Sequence, residues 1–267
     1  MTDTAAPAVL TERQGHILLI TINRPEARNA INAAVHTGIG TALEEAENDP
    51  EIRVVIITGA GEKSFCAGAD LVALSRGEML QPADKAQQAW GFAGMVAHPI
   101  SKPIIAAVNG FAFGGGCEIA LMSDLVVAAD HAQFGLPEVK VGLFAAAGGA
   151  FRIVKQLPQK VAMEHLLTGD PFDAQAALRY GFANRVVPLA DLLPTAIALA
   201  EKIAGNAPLS VQASKRVALR IADGQIAGDD AHWADNSRER KKLMASEDAR
   251  EGPRAFAEKR KPEWKAR

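Results

Sequence analysis

Three consecutive glycines, Gly114, Gly115 and Gly116, stand just ahead of Glu118 in the stretch FAFGGGCEIA (111–120). Glycine is costly in regular structure, so a run of three calls for a backbone that must come very close to something. A Walker loop would end in Gly-Lys-Ser/Thr, and this one ends in Gly-Cys-Glu. A dinucleotide fingerprint starting at Gly114 would need a small residue at 119, where Ile119 stands. The remaining use is a strand-to-helix turn whose free N–H groups cradle an oxygen that becomes negative during reaction. Glu118, one turn into that helix, is then placed for proton transfer next to a carbonyl. A second segment of small residues, Lys63 to Leu71 (KSFCAGADL), also permits close backbone approach. A third, Phe134 to Val139 (FGLPEV), supplies another carboxylate, Glu138, stiffened by Pro137. Two carboxylates in one dry pocket are not ionised together, so the pair is suited to acid and base work.

These residues need a scaffold. The β-rich run 16–22 reads as a strand closed by Pro25, and 32–48 as an amphipathic helix stopped at Asp49-Pro50. The runs 53–58, 103–108 and 124–129 are apolar throughout, as expected of strands buried on both faces. Helices are expected over 84–96 and 115–123. Beyond Gly148 the pattern turns mostly helical: 148–156, 159–167, 173–180, 190–205, 208–222 and 226–246, with one short strand at 184–187. The reading is an α/β core over 1–200 followed by a helical region over 201–267. Strand-strand-helix units recur loosely, without a clear sequence repeat.

With 267 residues and a formal charge of −2, the chain suits a large domain and is ill-suited to nucleic acid or a charged membrane as main partner. Its two cysteines, Cys66 and Cys117, form no disulfide framework and read as small packing residues. The start, MTDTAAPAVL, lacks the features of a signal peptide, and no apolar run is long enough to span a bilayer, so a cytoplasmic protein is expected. The six histidines show no ligand spacing, and no metal is expected. Asp124 reads as a strand-start or cap. Asp229, Asp230 and Asp235 read as a solvated helix face, and Trp90, Trp233 and Trp264 as packing anchors. From Arg250 to Arg267 seven Lys/Arg face three Asp/Glu, a local excess of +4.

The stretches NRPEARNA (23–30), SFCAGADL (64–71), KPIIAAVNGFAFGGGCEIA (102–120), SDLVVAADHAQFGLPEVKVG (123–142) and SEDAREGPRAFAEKRKPEWK (246–265) occur in this order. Together they resemble the crotonase superfamily, the enoyl-CoA hydratase/isomerase family, from about residue 10 to the end. The resemblance implies an α/β spiral of repeated ββα units with a helical C-terminal region used for trimerisation, the trimers commonly pairing into hexamers. It implies that the backbone N–H groups at Ala69 and Gly115 form an oxyanion hole for an acyl-CoA thioester. It implies that Glu118 and Glu138 add water across the double bond of a trans-2-enoyl-CoA, as in fatty-acid β-oxidation. Coenzyme A would be part of the substrate, with no permanently bound cofactor. Ala67, Asp70 and Leu71 match a loop that shapes the CoA path, Arg28 a basic position near the CoA phosphates, and Phe256 and Lys259 a C-terminal pair that closes over CoA from a neighbouring subunit. One departure stands out: Ala146 occupies a place where similar hydratases carry a glycine that helps hold the water. The context Leu136 to Lys140 and the C-terminal motif are also similar to carnitinyl-CoA dehydratases, which gives an alternative acyl group.

Overall fold

The computed structural model describes residues 6–267. Ten strands come first in the account: β1 (Val9–Gln14), β2 (Ile17–Ile22), β3 (Val54–Gly59), β4 (Ser64–Cys66), β5 (Ile104–Val108), β6 (Phe111–Phe113), β7 (Leu125–Ala129), β8 (Gln133–Gly135), β9 (Phe172–Asp173) and β10 (Arg185–Val187). They form two sheets. The larger has the order β1-β2-β3-β5-β7-β10, parallel throughout except for the β1/β2 pair; the smaller has the order β4-β6-β8-β9, with only β9 antiparallel. The chain therefore alternates between layers: β3 then β4, β5 then β6, β7 then β8. Each pair is one turn of a spiral, and each turn leaves the small sheet at its C-terminal end.

The apolar runs explain the larger sheet. Every residue of β3 and β5 is buried, as a parallel sheet covered on both faces requires. Ile56 and Ile57 are each fully enclosed, worth about 1.5–3 kcal/mol apiece relative to exposure. Two helices cross this sheet, α1 (Ala33–Asn48) over β1 to β3 and, much later, a helix at Leu189–Ala204 over β2, β3, β5 and β7. Asn32 caps α1 by accepting from Val35 N at 3.0 Å. Asp124 proves structural as expected, accepting from Ile104 N and pairing with Lys215, both at 2.7 Å.

The strands of the small sheet, three residues or fewer each, are too short to read as periodic patterns, and β9 ends on residue 173, where a helix was expected to begin. The long helix expected over 84–96 does not form. Only α2 (Leu71–Ser75) and α3 (Lys85–Gln88) precede a non-helical passage in which Gly91, Ala93 and Gly94 all have positive φ. The cause is close packing on α1: Gly94 lies against His36 O, and Trp90 stacks between His36 and His98 at ring distances of 6.4 and 5.1 Å.

After α4 (Gly115–Met122) come α5 (Gly149–Gln156), α6 (Gln159–Thr168), α7 (Ala174–Tyr180), α8 (Leu189–Ala204) and α9 (Pro208–Leu219), near their expected places. A small hairpin, β11 (Ile221–Ala222) with β12 (Gln225–Ile226), ends α9 earlier than expected. Two helices close the chain, α10 (Asp229–Met244) and α11 (Asp248–Ala257). Asp229 is not on a solvated face: it is buried and paired with Lys155 at 2.9 Å and Arg152 at 3.6 Å. The basic tail is largely neutralised within itself. Glu251 binds Arg254 and Arg260, Glu247 binds Arg267, and Asp248 accepts from the backbone of Lys265 and Ala266. A concavity of about 670 Å³ lies along the charged seam between α11 and this returning tail.

Candidate active site

Two loops leave the small sheet side by side. After β4 the chain runs along Ile31, whose N–H donates to Gly68 O at 2.8 Å and whose carbonyl accepts from Asp70 N at 3.0 Å. In that parallel pairing the N–H of the intervening residue, Ala69, turns away from Ile31. After β6, Gly114 N donates to Gly135 O at 2.9 Å and α4 begins at Gly115, whose N–H has no carbonyl within its helix to meet. Among the described residues, neither the Ala69 nor the Gly115 N–H has an acceptor. The loops touch: a methyl group added to Gly68 would lie 3.2 Å from the Gly115 nitrogen and 3.1 Å from Phe113 O.

The three glycines answer to three different neighbours. Gly114 has φ +54°, and a methyl there would lie 3.1 Å from Glu138 Oε1. At Gly115 it would enter the ring of Phe92, and at Gly116 it would sit 2.0 Å from Cys66 O. Gly116 thus lets the first turn of α4 press onto the end of β4, which brings the two loops together.

Glu118 is 3 % exposed. Its Oε1 accepts from Ala147 N at 2.7 Å and Gly149 N at 2.9 Å, two donors from the turn that starts α5. Glu138 sits on a 3-10 turn, Pro137–Val141, begun by Pro137. Its Oε1 lies against Gly114, while its Oε2 is buried without a hydrogen-bond partner among the described residues. Lys140, two residues on, turns away to Asp170 at 2.6 Å and leaves Glu138 unpaired. Burial pushes both carboxyls well above the ordinary value of 4.5, and for Glu118 the charge of Glu138 adds to the rise. Backbone donation from Gly149 and Ala147, then the Arg152 guanidinium, pull Glu118 back down. The two acids therefore share one electrostatic site, beside the two free N–H groups.

Cys117 lies among them as a packing residue. Burial first, then the two carboxylates, push its thiol far up, and burial pushes Cys66 to about 12.

The other expected positions fall around this centre. Ala67 N donates to Arg28 O at 3.1 Å, which ties the exposed Arg28 to the loop at 67–69. Asp70 is buried, its carboxylate held by Arg24 at 2.8 Å and capping α2 through Ala73 N at 2.9 Å. It stiffens the loop from behind. Leu71, first residue of α2, is 51 % exposed. Phe256 is 64 % exposed, and Lys259 is exposed just past the end of α11 and joins none of the ion pairs of the tail. Among the described residues, no group of three or more His, Cys, Asp or Glu could hold a metal ion. Sequence reasoning missed Phe92, Ala147, Gly149 and Arg152. The Gly148-Gly149 pair was the available signal for the turn that grips Glu118.

A two-layered ββα spiral whose small sheet releases two converging backbone loops beside a pair of carboxylates defines the crotonase type of architecture. The family model described as enoyl-CoA hydratase/isomerase matches residues 12–267. The chain belongs to this family. It is 45 % identical over 262 residues to a carnitinyl-CoA dehydratase of Proteus mirabilis, covering 97 % of this chain and 98 % of that one. Among solved structures, a carnitinyl-CoA hydratase from Mycobacterium avium is 60 % identical with a TM-score of 0.96, covering 98 % of this chain and all of the other. An enoyl-CoA hydratase from Mycobacterium tuberculosis is 42 % identical with a TM-score of 0.75 over the same shares.

Proposed function

We propose that the protein catalyses reversible addition of water to a 2-enoyl-CoA thioester. The observation that carries this reading is the pair of a buried Glu118 and a half-buried Glu138 with an enclosed Oε2, set beside two backbone N–H groups without an acceptor among the described residues. The thioester oxygen accepts from Ala69 and Gly115, each such donor worth about 2.7–4 kcal/mol to the enolate-like transition state. Glu118, with two N–H donors on one oxygen, is the carboxylate of the pair; Glu138, with an unpartnered oxygen, is the acid. Glu118 takes a proton from water as its oxygen bonds to C3, and Glu138 gives its proton to C2. The pair ends with one proton, as it began, now on the other carboxyl. Dehydration runs the same steps backwards.

The names of the most similar relatives favour carnitinyl-CoA, the alternative acyl group, over a straight-chain enoyl-CoA. CoA would run past Arg28, Ala67, Asp70 and Leu71, with Phe256 and Lys259 closing over it from a neighbouring subunit. A trimer or pair of trimers is supported by α9, which buries no residue in the single chain and exposes Leu209 and Val217. A division into a core over 1–200 and a C-terminal assembly region over 201–267 is supported by the same helix. A cytoplasmic location is supported by two free buried thiols.

The test is loss of the conjugated-thioester absorbance on mixing the protein with crotonyl-CoA and with 4-trimethylammonio-2-butenoyl-CoA, the dehydration product of carnitinyl-CoA. Turnover of both is expected, faster with the cationic thioester. Undiminished turnover after the double change Glu118→Gln and Glu138→Gln would overturn the mechanism; preference for crotonyl-CoA would overturn the acyl group.

A further inference from the structure

Glu118 is held by a turn that is itself held from outside the spiral core. The Ala146 carbonyl and the Ala147 N–H are the two ends of one planar peptide group. Its N–H donates to Glu118 Oε1 at 2.7 Å; its oxygen accepts from Asn236 Nδ2 at 2.8 Å. No backbone donor of the described residues reaches that oxygen. Asn236 is thus its partner, and turning the peptide breaks both bonds at once.

The amide of Asn236 can face only one way. With Nδ2 toward Ala146 O, its Oδ1 is buried with no partner; the flipped amide would set two acceptors face to face. Accepting an orphaned oxygen is a cost of about 1–3 kcal/mol, one that a half-buried asparagine on a mostly polar helix would not carry without return. The helix is docked for the purpose. Asp229, Trp233 and Asn236 are spaced i, i+4, i+7 on one face of α10. Asp229 pairs with Arg152 and Lys155 of α5, Trp233 meets Phe151 edge-on at 5.0 Å, and Asn236 reaches the turn that precedes α5.

We propose that Asn236 is a positioning residue for the hydration chemistry: through the Ala146–Ala147 peptide it aims the N–H that orients and stabilises the Glu118 carboxylate. The C-terminal helical region then contributes to the proton chemistry, as well as to any assembly. This rests on Glu118 being the base of the reaction. Hydrogen bonds in such a chain polarise one another, so losing the first weakens the second. The charged groups around Glu118 are Glu138 on the 3-10 turn and Arg152 on α5, with Asp229 of α10 and Lys155 of α5 behind Arg152; the Cys117 thiol is its neighbour on α4.

The experiment compares wild type, Asn236→Leu and Asn236→Asp on the two enoyl thioesters named above. Both variants keep the shape and lose the donor. For each, kcat is expected to fall about tenfold with KM within about twofold, the size of one lost hydrogen bond. The acidic limb of the kcat profile is expected to move to higher pH in Asn236→Leu, because a base that loses a donor holds its proton longer, and further in Asn236→Asp, which adds a negative charge. If the leucine variant does not fold, as judged by its melting curve, Asn236→Asp and Asn236→Ala are read for the same kcat loss and limb shift. Wild-type kcat and an unmoved acidic limb in the folded variants overturn the proposal. Glu118→Gln is the reference: if it is fully active, the assignment of the base fails, whereas an inactive Glu118→Gln beside a wild-type-like Asn236→Leu overturns the role of Asn236 alone.

Discussion

Two buried polar centres lie within a few residues of the same small sheet, and they are built on opposite terms. Around Asn29 and Asn109 every group is spent. Asn29 accepts from Arg24 N and donates to Ala60 O and Ser64 O; Asn109 accepts from Gly59 N and donates to Gly61 O and Ser64 O. Around Glu118 and Glu138, two backbone N–H groups and the buried Oε2 of Glu138 have no partner among the described residues, and two acids are forced together. The first centre fixes the loop between β3 and β4. The second uses the rigidity so gained to keep apart groups that water or a turn of the backbone would otherwise satisfy. Unmet polar demand, held by satisfied neighbours, is what distinguishes the site from the scaffold.

The comparison is broken most severely at the acids. Glu118→Gln or Glu138→Gln is expected to lower kcat about 10²–10⁴-fold with little change in KM, measured by enoyl-CoA absorbance. The scaffold should respond in stability instead. Asn109→Ala removes the partner of three backbone groups and is expected to cost about 2–4 kcal/mol in denaturant melts. The kcat of the remaining folded enzyme should change less than tenfold. Gly114→Ala tests the seam between the two centres. Its positive φ and the contact with Glu138 predict a loss of about 1–2 kcal/mol and a several-fold fall in kcat. pH separates the centres further. Both glutamates bind protons more tightly folded than unfolded, so their stability contribution is complete below the ordinary 4.5 and is lost as pH rises above it. The double glutamine variant should therefore gain a few degrees in Tm over wild type at pH 8 and nothing at pH 4, followed by calorimetry. The smallest effect is expected far from both centres. Glu251→Gln opens the clasp of the tail, whose arginines are the more exposed partners, and should shift Tm slightly, and less still in high salt.

The central strands of the large sheet were legible because their burial on both faces leaves an unbroken apolar run, as in 53–58 and 103–108, whereas the edge strand β1, mostly exposed along VLTERQ, was not read. The small sheet was not: strands of two or three residues carry no period, and they are stabilised by the layer beneath them. The segment 84–96 was misread because its apolar spacing suits a helix, while close contact with α1 demands positive φ at three places. Asp229 was misread because a charge near a helix start looks solvated until a buried arginine from another helix is set against it. At the site, the glycines and Glu118 announced themselves by cost and chemistry, and Glu138 by its place in a recognisable motif. The donors from Ala147 and Gly149 had no side-chain signature, since only their backbone acts.

Sequence by itself thus determined which groups could react: a glycine run that frees backbone N–H groups, two glutamates, and enough apolar strand to bury them. Tertiary structure alone decided that these groups meet. The loop at 67–69 and the start of α4 lie more than forty residues apart along the chain, and the turn over Glu118 is tied to a helix ninety residues beyond it. Such meetings depend on how the layers of the spiral stack, and stacking is set by the volumes and hydrogen bonds of neighbours that no local pattern encodes.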